Sequence, residues 1–220
     1  MTTTVVTGAN RGIGLALCQV AKARGHEVIA LCRAASDELA ALDVRIEEGI
    51  DISDDSVIGL LPQRLAGVSI DVLVNNAGVM SRERLDDMDL SRIRRQFEVN
   101  SLGPLRVTTA LLPSLGPGSK VAIVTSRMGS IADNNSGGSY GYRMSKAAVN
   151  AAGVSLARDL VPRKIAVLLL HPGWIRTGLT EQKGNADAPE AAAGLWAQID
   201  ALTLETSGSF RHANGESLPW

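Results

Sequence analysis

Tyr142 and Lys146 stand four residues apart in Ser139–Leu160, a stretch whose pattern predicts a helix. At that spacing both side chains share one face and can converge. A free phenol titrates near ~10, and each unit of lowering reflects ~1.4 kcal/mol of differential stabilisation. A nearby ammonium stabilises the phenolate, as does any further positive charge brought beside it. Such a tyrosine can hand a proton to a carbonyl oxygen or take one back. Tyr140 is no rival, because the fourth residue after it is Met144. Ser126 closes the apolar run Val121–Val124 and its continuation. A hydroxyl there can donate to a substrate oxygen and share its developing charge. A nucleophilic serine would need the Gly-x-Ser-x-Gly turn, which is missing, and the three histidines have no evident place beside it.

Far upstream runs Thr7-Gly8-Ala9-Asn10-Arg11-Gly12-Ile13-Gly14, between a predicted first strand and a predicted first helix. Glycines at that junction let the backbone turn tightly and approach a pyrophosphate, while the helix N-terminus supplies free N–H groups and a positive dipole end. The spacing is Gly-x-x-x-Gly-x-Gly rather than Gly-x-Gly-x-x-Gly. NAD sites usually offer a carboxylate at the end of the second strand, whereas a 2′-phosphate needs cations. Here that strand ends Leu31-Cys32-Arg33, with no acid until Asp37. Arg33 is therefore placed to meet a 2′-phosphate, with Arg11 as a second cation, so NADPH is expected over NADH. With the tyrosine–lysine pair, these residues point to a nicotinamide-dependent oxidoreductase.

The elements that must position these residues alternate along the chain. Strands are expected at Thr3–Thr7, Glu27–Cys32, Ile70–Asn75, Lys120–Ser126, Ile165–His171 and Ser209–Ala213. Helices are expected at Ile13–Arg24, closed by Gly25, at Ser53–Leu65 with Ser53 as N-cap, and at Pro189–Leu202. A weaker helix and strand lead to Asp51, and a long helix runs from about Leu90 to Leu112, kinked or interrupted at Pro104. Continuous aliphatic strands each followed by a helix imply a parallel sheet covered on both faces. The expected fold is one α/β domain, residues 1–220, with a doubly wound, Rossmann-like parallel sheet.

Composition is that of an ordinary soluble globular chain: 45% apolar and 20% charged residues, with a net charge of −1. No basic face is forced, which gives a nucleic-acid or anionic-membrane partner little support. Cys18 and Cys32 have no metal-like spacing and read as buried small hydrophobes in a reducing compartment. No metal site is expected. No basic segment leading into an apolar one opens the chain, and no apolar run approaches ~18 residues, so a cytoplasmic protein is expected.

In this order the residues match a known family. The chain resembles the short-chain dehydrogenases/reductases of the compact single-domain branch, over nearly its whole length. The resemblance rests on the turn Thr7–Gly14, Asp51, Asn75-Asn76-Ala77-Gly78, Asn100, Ser126, Tyr142-x-x-x-Lys146, and Pro172-Gly173 followed by Thr177. It implies that Asp51, helped by Ile52, meets the adenine. It also implies that Asn75, Ala77 and Gly78 line the ribose pocket and brace the sheet, and that Ile175 and Thr177 contact the carboxamide. Asn100 would hold a water in a proton relay to Lys146, whose ammonium also binds the nicotinamide ribose. The stretch Ser126–Asp133, the glycine-rich segment before Tyr142 and the ending Leu218-Pro219-Trp220 are similar to C-factor-like and sniffer-like carbonyl reductases. That likeness implies reduction of small carbonyl compounds with NADPH, and the family implies homodimers or homotetramers. The segment Gly178–Ala188, where the family carries a substrate lid, is short and mostly small and polar, so an open pocket is expected.

Two other functions fit the same residues. One is a dinucleotide-binding regulatory protein with incidental catalysis, for which Tyr142 would be unnecessary. The other is an alcohol dehydrogenase running in the oxidative direction, since the same residues serve both directions.

Overall fold

The computed structural model describes residues 1–220. The elements run β1 (Thr3–Thr7), α1 (Gly12–Ala23), β2 (Glu27–Leu31), α2 (Asp37–Ala40), β3 (Arg45–Glu47), α3 (Asp55–Ile58), α4 (Leu61–Arg64) and β4 (Ile70–Asn75). Then come α5 (Leu90–Phe97), α6 (Gly103–Leu111), β5 (Leu115–Val124), α7 (Tyr140–Asp159), β6 (Ala166–His171), α8 (Ala188–Ala201) and β7 (Ser209–His212). The seven strands form one sheet in the order β3-β2-β1-β4-β5-β6-β7, and every neighbouring pair is parallel. The order reverses between β1 and β4, the point at which open sheets of this kind bind ligands beyond their strand ends.

Because successive strand residues face opposite sides, both faces of the sheet are buried by one unbroken aliphatic run. Val5 and Val6 are both fully buried, yet they belong to different cores. Val6, Val74, Val124 and Leu170 pack with Leu17 of α1 and Leu195 and Trp196 of α8. Val5, Leu73, Ile123 and Val167 pack with Leu61 of α4, Val107 of α6 and Val149 of α7. Each such side chain contributes ~1.5–3 kcal/mol when fully buried. The Trp196 indole donates to the Leu17 carbonyl at 3.1 Å, which ties α8 to α1.

Three expected elements differ. The helix expected over Ser53–Leu65 is two short ones, broken where Gly59 precedes Pro62 at the second position of α4. The cap of α3 is Asp54, whose carboxylate accepts from Ser56 and Val57, while Ser53 turns back to Asp51. The long helix is three pieces: α5, a wider π turn over Glu98–Leu102, and α6 with Pro104 in its first turn. Proline has no N–H to continue the ladder, so the turn widens before it. Finally, β5 begins five residues earlier than the expected Lys120, across a register shift opposite Ile70 and Val72, and ends at Val124, short of Ser126.

Candidate active site

At the reversal point lies a cleft of about 830 Å³, within the range of ligand sites. One wall is the turn between β1 and α1. Gly8 and Gly12 sit at φ +64° and +56°, which only glycine adopts freely. A Cβ on Gly14 would collide with the Gly8 carbonyl, and one on Gly8 would come 2.9 Å from Ala77 Cα. The glycines therefore serve internal packing as well as open access. No side chain caps the N-terminus of α1, so its first N–H groups are free at the cleft. Asn10 and Ile13 line the same wall, and the Asn10 carbonyl accepts from Ser36 at 2.7 Å, fastening the loop after β2 to the turn.

Arg11 and Arg33 both line the cleft, and neither has an ion-pair partner. Asp51 and Ile52 line it beside them. The Ser53 hydroxyl and N–H, with Arg33 and Arg95, hold the Asp51 carboxyl below the usual range against the effect of burial. Arg95 of α5 also lines the cleft, a cation that sequence reasoning missed because it lies on a helix distant in the chain. Ala77 and Gly78 line the cleft as expected.

Asn75 does not line it: the side chain is buried and donates to Thr108 at 3.0 Å, bracing β4 against α6. Its neighbour Asn76 lines the cleft instead and donates to the carbonyls of Thr7 and Gly8. Strand alternation is the reason, since consecutive residues leave a strand on opposite sides. Pro172 and Thr177 line the cleft, while Ile175 is buried behind it and packs near Gly173, which sits at φ +99°. Leu179, Glu181 and Gln182 line the cleft, and a Cβ on Gly12 would lie 3.4 Å from the Thr177 methyl.

The other wall is α7. Tyr142 and Lys146 are both buried on its inner face. Ser126, past the end of β5, accepts from the Met128 N–H at 3.2 Å and so caps the single turn Arg127–Gly129. A Cβ on Gly129 would come 2.7 Å from the Lys146 backbone, so that turn lies flush against α7. The Ser126 hydroxyl thereby stands on the Tyr142 side of the cleft, close enough to lower the phenol's pKa. The Lys146 ammonium donates to the Val124 carbonyl at 2.9 Å and lies 5.7 Å from the Tyr142 ring centre.

Burial pushes the Tyr142 phenol up to about 12, with the neighbouring Ser126 hydroxyl pulling the other way. Burial also pushes Lys146 down to about 8. In the cofactor-free protein, where no nicotinamide charge stands beside the phenol, desolvation dominates both groups. Near neutral pH the phenol is protonated and the ammonium is largely charged.

Asn100 is buried in the π turn, with its side chain fully engaged. Oδ1 accepts from Val79 N, and Nδ2 donates to the Val79 carbonyl and to Ser145 Oγ. Its own carbonyl cannot receive the usual bond from four residues on, because that residue is Pro104. His171, at the end of β6, was also missed. It is buried, and its Nδ1 has no hydrogen-bond partner.

The chain is similar to known proteins over its length. The chain is 43% identical, over 100% of both lengths, to the 1-hydroxy-2-glutathionyl-2-methyl-3-butene dehydrogenase of Rhodococcus sp. (strain AD45). It is 47% identical to C-signal of Myxococcus xanthus over 69% of this chain and 93% of that one. Its fold superposes on the NADPH-bound carbonyl reductase from chicken fatty liver with a TM-score of 0.90, at 26% identity, covering 100% and 99% of the two chains. The family model described as short chain dehydrogenase matches residues 2–188. With its parallel sheet, glycine turn and Tyr142–Lys146 face, the chain belongs to the short-chain dehydrogenase family.

Proposed function

We propose that this protein reduces a ketone or aldehyde to an alcohol with NADPH, Tyr142 acting as the general acid. The observation that carries the reading is the buried Tyr142 on the inner face of α7, with Lys146 5.7 Å from its ring centre and Ser126 close enough to influence the phenol. The residues fit a dinucleotide: side-chain-free turns, the uncapped N-terminus of α1, and two arginines without anionic partners. Arg33 and Arg11 would hold a 2′-phosphate, and Asp51 would face the adenine. When bound, the reduced nicotinamide supplies the hydride. Ser126 donates to the substrate oxygen and steadies its growing negative charge, while Tyr142 delivers the proton to that oxygen. Lys146 stabilises the phenolate left behind and orients the ribose. The Asn100 carbonyl, which Pro104 cannot serve, would hold a water that returns a proton toward Lys146. The NADPH-bound carbonyl reductase of the same fold supports this cofactor.

The test follows loss of reduced-nicotinamide absorbance over a panel of small ketones and aldehydes, with NADPH and NADH compared. Turnover with a preference for NADPH is expected; turnover with NADH alone would contradict the assignment. A second reading is oxidation of an alcohol, favoured by the Rhodococcus relative, whose name describes a dehydrogenase of a hydroxy compound. It needs Tyr142 as phenolate and predicts faster turnover of alcohols with NADP at high pH than of carbonyls with NADPH at neutral pH. The likeness to C-signal keeps a regulatory, cofactor-binding role in view; tight NADPH binding with no turnover would favour it.

A further inference from the structure

Glu83 lies on no regular element, in the segment between β4 and α5, yet its side chain is only 1% exposed. Acidic residues are almost never buried so completely unless they are paired or hydrogen-bonded. Its Oε1 accepts from the Ser81 hydroxyl and from Gln96 Nε2 at 2.9 Å, and its Oε2 accepts from the Gly141 N–H at 2.9 Å. Its backbone carbonyl accepts from Ser139 N, also at 2.9 Å.

Gly141 is the second residue of α7. The first N–H groups of a helix have no partner within it, and that end carries positive potential. The residue preceding α7, Ser139, is left-handed at φ 49° and makes no side-chain cap. Glu83 therefore supplies, from 58 residues away in sequence, the anionic cap that α7 lacks locally. The contact is close by construction: a Cβ on Gly141 would collide with the Gln96 amide and come 3.0 Å from Ile93 Cα. The segment that carries Glu83 is itself fixed rung by rung. Val79 is clasped by Asn100, and Ser81 N donates to Gln96 Oε1 at 3.0 Å. It continues directly from Asn76–Gly78, which line the cleft.

We propose that Glu83 is a positioning residue for Tyr142. Its carboxylate sets the height and rotation of the first turn of α7 against the cofactor side of the cleft, and so sets where the phenol stands relative to Ser126. This rests on Tyr142 being the acid. A small misplacement of a reacting group costs rate far more than binding. A glutamine at this position keeps the size but retains one acceptor oxygen for three donors.

The test measures kcat, the KM for a carbonyl substrate and the NADPH dissociation constant for Glu83→Gln and Ser81→Ala, with melting curves and Tyr142→Phe in parallel. Glu83→Gln should lower kcat about tenfold or more while KM and NADPH affinity stay within about twofold. Ser81→Ala removes one of the three donors and should lower kcat about threefold. A folded Glu83→Gln variant with the kcat of the parent would overturn the proposal. So would equal losses in kcat and NADPH affinity, which mark general damage. If Glu83→Gln does not fold, Ser81→Ala decides, and an unchanged kcat there is the contrary result. Full turnover by Tyr142→Phe would overturn the reading of the acid, and the proposal with it. A silent Tyr142→Phe beside an unaffected Glu83→Gln would overturn the role of Glu83 alone.

Discussion

The side-chain amide of Asn100 clasps Val79 from both sides: Oδ1 accepts from its N–H and Nδ2 donates to its carbonyl, each at 2.8 Å. The second Nδ2 hydrogen goes to Ser145 on α7 at 3.0 Å. One buried amide thus joins the cleft-lining segment after β4, the π turn and the helix that carries Tyr142.

Replacing Asn100 with alanine should therefore cost stability as well as turnover. It leaves both Val79 backbone groups, half-buried beside the cleft, without a protein partner, at about 1–3 kcal/mol for each unsatisfied group. A loss of ~2–4 kcal/mol should lower Tm by roughly 5–12 °C in a chain of this size. An unchanged melting curve would show that the clasp contributes nothing.

Arg33→Asp removes a cation that makes no direct ion pair and places a carboxylate where a 2′-phosphate would bind. A hydrogen bond to a charged group contributes about 1.5–3 kcal/mol, so NADPH affinity should fall roughly 10–150-fold while NADH affinity changes little. Titration of both cofactors checks this; equal losses would reject the 2′-phosphate assignment.

The pH dependence of carbonyl reduction should reflect Lys146 rather than Tyr142. The phenol stays protonated up to about 12, whereas the ammonium is lost above about 8. Measured on the free enzyme, kcat/KM for reduction should be flat through neutral pH and fall above about 8. A profile flat to pH ~10 would show that the Lys146 charge is not needed.

His171 predicts an acid sensitivity. Burial, with the neighbouring His212, pushes it from 6.5 down to about 3. The folded protein holds it neutral, while the unfolded chain takes up a proton below 6.5. Its contribution is therefore intact above 6.5 and lost progressively as pH falls toward 3. Between pH 7 and about 4.5 the loss is on the order of 3 kcal/mol. Urea unfolding of His171→Leu at both values should show that much less acid destabilisation than the parent, and an identical loss in both proteins would contradict it.

The centre of the sheet is legible in the sequence because its strands are buried on both faces: Thr3–Thr7 is buried throughout, and Ile70–Asn75 at every position but Asp71. The placing of Tyr142 and Lys146 on one face of α7, and of Ser126 just past the end of β5, is legible because it follows from local spacing. Interactions between distant segments are not. Nothing local to Glu83 signals that it caps α7, because its partners Gln96 and Gly141 come from two other elements. The unsatisfied Nδ1 of His171 is likewise a consequence of packing. The burial of Tyr142 and Lys146 is not legible for the same reason: spacing reveals that Lys146 is near, but not how completely both groups are removed from water.

The central claim is that Tyr142 delivers the proton, and Tyr142→Phe tests it most directly. The substitution removes one hydroxyl and leaves the ring packed against its neighbours. Turnover of a carbonyl substrate should fall by about 10²–10⁴-fold, the usual contribution of general acid catalysis, while the NADPH dissociation constant stays near the parent value. Turnover within a fewfold of the parent, with NADPH still bound, would contradict it.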